Sequence, residues 1–493
     1  ALKMPSRKPK RKNKKIKEIG HIKSYFSGVA KVEGLPNVFL HEVLLDEKGK
    51  EAAIVIGFNE SSVEVLFFDE NYNTEKPVFR SFQSFSVSAS EEVVGRVFNG
   101  LGKAIDSFGD IEGERIPAFR QAPGIIEREP VEIPLTTGIK IIDTVLPVGR
   151  GQRQLIIGDR KLGKSTIALD TVLNQKEAEK EVFCFYVICG QKEQKLQEII
   201  SLFKKYNAFN YSAIIAATAD DSLTSQYLAP FVGCALAEYF RDKGKDALIV
   251  YDDFSKHARI YRSITLLLER PPGRETYPGE IFFLHAGLLE RAGRLAKARG
   301  GGSLTALPII ETQEGDISAF IPTNLISITD GQIYLERGLF QKGFLPAINV
   351  GLSVSRVGSQ AQPEVLKEVV GGLRLALARH KELQRLSQLE TKVSQKAQKT
   401  IHRGELILEL LKQKKHTFVS WPEQVILFYA MEEGFFDDLE KEKWGELEQM
   451  VLELIRIRYH YLIDRIRRGR FDAATKKEIL KVVEDFKKEF IFS

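Results

Sequence analysis

Cysteine is scarce: 493 residues contain three, Cys184, Cys189 and Cys234. Each lies in an apolar run and none has metal-ligand spacing, which argues against a disulfide framework and predicts buried thiols in a reducing compartment. Long apolar runs are missing as well. No segment approaches the roughly twenty uninterrupted apolar residues that cross a bilayer, and no apolar secretory signal opens the chain, so a soluble or peripheral protein is expected. Charge is nearly balanced: the formal net charge is +6, with the excess concentrated at the start. Residues 3–17 are dense in Lys and Arg, carry Pro5 and Pro9 and lack apolar periodicity, which is the composition of a disordered tail. Such a tail either solubilises the chain or meets anionic lipid or another subunit. An opening at Ala1 without a methionine suggests processing or trimming.

What is present is one stretch with a complete signature: Gly158-Asp159-Arg160-Lys161-Leu162-Gly163-Lys164-Ser165 matches GxxxxGK[ST]. The short apolar segment 154–157 precedes it, and from Thr166 to Leu173 apolar residues recur at helical spacing. A glycine-rich turn beside a lysine arises by chance; strand, loop and helix in that order do not come with it. A loop of this kind aims successive backbone N–H groups and the positive end of a helix at one spot, where phosphate oxygens replace water. Lys164 places a point charge on the outer phosphates, and the Ser165 hydroxyl is the expected inner ligand of magnesium.

Around this loop, 493 residues leave room for two to four domains. Residues 1–18 form the basic tail. Residues 19–90 show short apolar or alternating runs separated by turn residues, which predicts a small closed β-barrel. It shows no basic stripe interleaved with aromatics, so a packing role is preferred over nucleic-acid binding. Residues 91–362 alternate strand and helix patterns, with near-continuous apolar runs at 182–188, 212–217, 247–251 and 304–310, as a mostly parallel sheet covered on both faces requires. Asp252 and Asp253 close the third of these runs and are expected to hold magnesium's water shell. After the first run comes Cys189-Gly190-Gln191-Lys192, which puts an amide, Gln191, where a carboxylate could activate water; an amide cannot act as a base. From Pro363 to the end, helical spacing predicts a C-terminal helical bundle, with a helix over 364–395 despite Gly371 and Gly372, a helix start at Trp421-Pro422-Glu423 and a solvated charged face over 456–470. The predicted fold class is therefore multidomain: β-barrel, central α/β P-loop NTPase domain, C-terminal α-helical bundle.

The P-loop and the run Tyr251-Asp252-Asp253-Phe254-Ser255-Lys256 resemble the α subunit of F-type ATP synthase. So do Arg270-Pro271-Pro272-Gly273-Arg274-Glu275, residues 300–305, Ile310-Glu311-Thr312-Gln313, Ile321-Pro322-Thr323-Asn324 and Asn349-Val350-Gly351-Leu352-Ser353-Val354-Ser355-Arg356-Val357-Gly358. The resemblance spans nearly the whole chain and favours α over β, because the β subunit of that family has Glu where this chain has Gln191. It implies a three-domain subunit alternating with β subunits in a hexameric ring around a central-stalk γ subunit, with a peripheral-stalk δ-type subunit docked outside and no nucleic acid bound. The protein's own site would be non-catalytic, binding ATP or ADP with Mg2+ through Gly158, Asp159, Arg160, Lys161, Leu162, Gly163, Lys164, Ser165, Thr166 and Gln191. Ser165 and Asp252 would serve the metal, and Gln413 would lie near the adenine. Arg356 matches the family's arginine finger, reaching the neighbouring β subunit's catalytic site, and Ser327 matches a residue at that interface. Residues 314–319 resemble the loop facing the shaft. The complex would be peripheral on an energy-transducing membrane, with the cytoplasmic side of a bacterial cell membrane placed ahead of the matrix side of the mitochondrial inner membrane.

Three positions depart from the family's usual pattern: Lys161-Leu162 stands for Gln-Thr, and Leu345, before Pro346, stands for Arg. The missing arginine weakens the expected hold on the base or ribose. The start also differs, with a short basic tail where the family has a helical stretch that docks the peripheral stalk. Two other classes share the architecture. A homohexameric secretion-type ATPase would need a catalytic carboxylate at position 191, and an RNA-translocating ring ATPase would need a basic, aromatic barrel surface.

Overall fold

The computed structural model describes residues 18–387 and 394–492. The basic tail expected at 3–17 and the part of the expected helix at 388–393 lie outside the described residues. The described residues divide into two compact units, one of residues 18–86 with 222–224 and 264–270, the other of the rest.

The first unit is a closed antiparallel barrel. Its strands are β1 (Ile19–Phe26), β2 (Val29–Glu33), β3 (Glu42–Leu45), β4 (Glu51–Phe58), β5 (Val63–Phe67) and β6 (Val78–Ser84). They pair in the order β1-β2-β5-β4-β3-β6, and β6 returns to β1. Closure explains the short apolar runs, because Val32, Leu44, Val55, Val65 and Val78 all point into one small core. Gly20, paired with Val78 at the seam, is needed for the close approach: a Cβ there would lie 2.7 Å from a Val78 methyl and 2.8 Å from Val32. Glu42 is wholly buried beneath Arg80, which donates to both of its oxygens at 3.0 and 2.8 Å.

The second unit is built on a sheet whose main strands are β7 (Val97–Asn99), β8 (Leu155–Gly158), β9 (Val182–Gln191), β10 (Ser212–Thr218), β11 (Asp246–Asp252), β12 (Ser303–Glu311), β13 (Gly331–Leu335) and β14 (Val354–Ser355). Their order is β14-β13-β8-β12-β11-β9-β10-β7, and all neighbours are parallel except β13 and β14. Every residue of β10 and β11 is buried, which is why those strands read as unbroken apolar runs. Gly158, Gln191, Asp252 and Glu311 all end their strands on the same edge, the carboxyl edge where open α/β sheets bind ligands.

C-terminal to the sheet, the helical stretch breaks at Gly371 and Gly372 into α-helices Glu364–Val370 and Leu373–Ser387. Helices Gln395–Leu411, Trp421–Glu432, Trp444–Arg458, His460–Arg467 and Ala473–Phe492 follow. The start at Trp421 is secured by a capping box between Ser420 and Glu423. One apolar core continues from sheet residues such as Ile156 and Tyr186 into Leu410, Phe428 and Trp444. Most charged residues of the segment 456–470 are exposed, as expected of a solvated face, and Arg456 among them also donates to the Phe418 carbonyl at 2.8 Å and pairs with the buried Glu423 at 2.5 Å. Among the described residues no helix is long and apolar enough to cross a membrane.

Candidate functional site

Strand β8 ends at Gly158, the backbone turns through Lys161 with φ 64° and Gly163 with φ 99°, and helix α1 (Lys164–Asn174) begins. Only glycine takes Gly163's left-handed conformation freely. The first turn of α1 has no side-chain cap, so its leading N–H groups stay available to an anion. Lys164 is buried, and its ammonium donates to the Gly158 and Asp159 carbonyls at 2.8 and 2.6 Å. Burial pushes that ammonium below the ordinary lysine range, against the pull of Glu311, Asp253 and Asp252. A phosphate would relieve this by supplying negative charge directly.

Asp252 ends β11 beside the loop and is almost fully buried. Gln191 Nε2 donates to Asp252 Oδ1 at 2.7 Å and to Asp253 Oδ2 at 3.2 Å. Lys256 donates through its ammonium to Asp253 Oδ2 at 2.6 Å and through its backbone N–H to Oδ1 at 2.7 Å. Burial still raises the Asp253 carboxyl above its usual range, with Asp252 adding to the shift. Magnesium is implied here, and the donor set suits it: a hard cation wants oxygen ligands and keeps much of its water, and a hydroxyl at the head of α1 with a strand-end carboxylate supplies that.

Beyond the loop lies a cavity of about 640 Å³ rimmed by Asp159, Arg160, Arg259, Glu311 and Arg337. Arg160 pairs with Glu311 at 3.0 Å, and Arg337 pairs with Asp159 at 3.0 Å. Burial drives the Glu311 carboxyl up, but Arg160, Lys256 and Lys164 outweigh it and leave it below the usual range. Asp159 also accepts from the Thr312 hydroxyl at 2.7 Å and the Gly315 N–H at 2.8 Å, which ties the P-loop to the start of the 314–319 loop.

The structure thus gathers residues 158–166, Gln191 and Asp252 in one place. Gln413 and Leu345 line a different cavity, of about 580 Å³, whose walls include Lys140 and Phe418 and share no residue with the first. The Gln413 amide is engaged there: it donates to the Gly138 carbonyl at 2.7 Å and accepts from the Lys140 N–H at 2.9 Å. Arg356 follows β14, is exposed, and its guanidinium has no ion-pair or hydrogen-bond partner among the described residues. Ser327 is exposed on helix Phe320–Ile328, its hydroxyl donating to the Asn324 carbonyl at 2.6 Å. Sequence reasoning missed Tyr186, Lys256 and Arg337. For Tyr186 the only signal was a lone phenol in an otherwise apolar strand; Lys256 stands only three residues from its partner Asp253, so the pair was within local reach of the sequence, whereas distance along the chain hid the pairing of Arg337 with Asp159.

Loop, strand-end carboxylates and parallel sheet together define a P-loop nucleotide-binding protein. The ATP synthase alpha/beta family nucleotide-binding domain model matches residues 138–355, and the C-terminal domain model of the same alpha/beta family matches 362–486. ATP synthase subunit alpha of Helicobacter pylori strain G27 is 46% identical over 474 residues, spanning 95% of this sequence and 94% of that one. The subunit of the same name from Aquifex aeolicus strain VF5 is 45% identical over 481 residues, spanning 97% and 95%. The chain belongs to the ATP synthase alpha/beta family, on its α-subunit side, and is thereby part of a two-sector ATPase.

Proposed function

We propose that this protein binds Mg-ATP or Mg-ADP at its own P-loop without turning it over, and that it lends Arg356 to the catalytic site of a neighbouring β subunit. The observation that carries the first half is Gln191: its amide donates to both strand-end carboxylates, so the position has no group able to take a proton from water. Gly158, Gly163 and the head of α1 would hold the phosphates, with Lys164 on the outer ones. Ser165 and Asp252 would hold the metal, whose contribution is to neutralise phosphate charge. Asp159, Arg160, Lys161, Leu162 and Thr166 shape the loop. The free guanidinium of Arg356 supports the second half, because an arginine kept for structure within the protein would have a carboxylate beside it.

In this reading the protein alternates with β subunits around a γ shaft, Ser327 lies at the same interface as Arg356, residues 314–319 face the shaft, and a δ-type subunit docks outside. Gln413 and Leu345 flank the base. The assembly is peripheral on the cytoplasmic side of a bacterial cell membrane or the matrix side of the mitochondrial inner membrane. The test is to purify the native complex, identify its subunits and assay this protein alone. Co-purifying β and γ subunits with an inactive α subunit are expected; a complex of this protein only, hydrolysing ATP in a Lys164-dependent way, would assign it to the homohexameric ATPases.

A further inference from the structure

Both oxygens of the Asp252 carboxylate already have a donor from the protein. The Tyr186 hydroxyl donates to Oδ2 at 2.8 Å, and the Gln191 amide donates to Oδ1 at 2.7 Å. The two donors come from one strand, β9, one from its buried middle and one from its end. A single rigid element therefore grips the carboxylate from both sides. Tyr186 is completely buried, and of the two partners only its phenol hydroxyl carries a hydrogen to give, since an ionised carboxylate only accepts.

We propose that Tyr186 and Gln191 form a clamp that positions Asp252 for magnesium at this protein's own nucleotide site. Tyr186 is a positioning residue for the metal, and Gln191 acts as a donor as well as lacking a base. This rests on the assignment of Ser165 and Asp252 to magnesium made above. A carboxylate turns easily about its terminal torsion, because that rotation has only broad, shallow wells. Two donors on opposite oxygens leave it one orientation, and each oxygen keeps lone-pair capacity for a metal-bound water. Outer-shell hydrogen bonds of this kind orient a metal's carboxylates and set its affinity.

The experiment measures equilibrium ATP binding to the full-length protein as magnesium is titrated, and again in EDTA, for the wild type, Tyr186→Phe and Gln191→Leu. Each variant is expected to need about 10–100-fold more magnesium for half its effect, the range for losing an outer-shell partner. ATP affinity in EDTA is expected to stay at the wild-type level. In an Asp252→Ala background neither substitution should change the magnesium dependence further. Equal losses with and without magnesium would mean a merely structural role and overturn the clamp, as would a wild-type magnesium titration in both variants. If Tyr186→Phe does not fold, Gln191→Leu at the strand end decides alone. A wild type whose ATP affinity ignores magnesium would instead overturn the assignment of Ser165 and Asp252, and the clamp with it.

Discussion

In the proposed reading, Gln191 is the one side chain that separates binding from turnover. The full-length protein by itself should bind Mg-ATP yet release phosphate no faster than Lys164→Ala, in a steady-state phosphate assay. Gln191→Glu is not expected to create activity either. It would set a third carboxylate against Asp252 and Asp253 and remove the donor both now share, so weaker ATP binding and background phosphate release are expected. Turnover well above the Lys164→Ala background would show that the amide alone was holding hydrolysis back. A second residue-scale case is His257. Its Nε2 faces the Tyr227 carbonyl at 3.0 Å, which only accepts, so Nε2 carries the hydrogen and Nδ1 accepts from His285 Nε2 at 3.1 Å. Burial lowers the His257 imidazolium from 6.5 to about 4. As pH falls through that window the unfolded state gains a proton that the folded state refuses, so stability falls with acidification. Asp143, raised by burial from 3.8 to about 6 against its hydrogen bonds, acts in the opposite sense. Comparing the wild type with His257→Gln removes the Asp143 contribution, which both proteins share, and leaves that of the His257 imidazole. Between pH 7 and 4.5 the wild type should lose about 2 to 3 kcal/mol more than the variant in urea titrations; parallel pH profiles would refute a His257 held neutral by the fold.

Between elements, contact distance decides which substitutions are tolerated. Gly404 sits inside helix Gln395–Leu411 against the ring of His380 in helix Leu373–Ser387, and a Cβ there would come within 2.3 Å of that ring. Alanine gains about 1 kcal/mol of helix propensity over glycine, but overpacking a tight core costs about 1 to 3 kcal/mol, so Gly404→Ala should lower stability. Gly287→Ala, in helix Ile281–Leu289 with nothing within 4 Å, should not, and thermal melts of the two variants check the contrast. The segment after helix Gln395–Leu411 is also tied to the nucleotide-binding part of the unit. Gln413 bonds to Gly138 and Lys140, and His416 bonds to Asp170 of α1 at 2.7 Å. Leu345 is half exposed in the cavity beside Gln413. An arginine there would add a hydrogen bond from a charged group, so Leu345→Arg should slow release of labelled nucleotide by about tenfold. An unchanged off-rate would mean that this cavity does not adjoin the base.

At the scale of the whole molecule, the sheet delivers two kinds of residue to different places: Lys164 and Asp252 inside the fold, Arg356 outside it. In the proposed ring, Arg356 would meet charge developing on the γ-phosphate of a neighbour's ATP, where a planar guanidinium binds two oxygens and an ammonium does not. Arg356→Lys should therefore reduce ATP turnover of the assembled complex by about a thousandfold or more. Assembly and nucleotide occupancy at this protein's own loop should persist, since the guanidinium has no hydrogen-bond or ion-pair partner among the described residues. A complex that assembles and keeps most of its activity would remove the role; one that fails to assemble would mark a structural contact between subunits.

The amino-acid sequence alone determined what depends on neighbours along the chain. Strand, loop and helix around residues 158–165 follow from a glycine-rich turn between two apolar patterns, and the buried strands of the sheet follow from unbroken apolar runs. The capped helix at Trp421 was legible too, because Ser420 and Glu423 lie three residues apart. Only the tertiary structure decided which distant residues share a site. Tyr186 and Asp252 meet because β9 and β11 pair in a register that sets Tyr186 opposite Val250, and no periodicity records register between strands about sixty residues apart. Arg337 reaches Asp159, and Gln413 spends its amide on Gly138, for the same reason. A side chain's type is a local property, whereas its hydrogen-bond partner is settled by how whole elements pack.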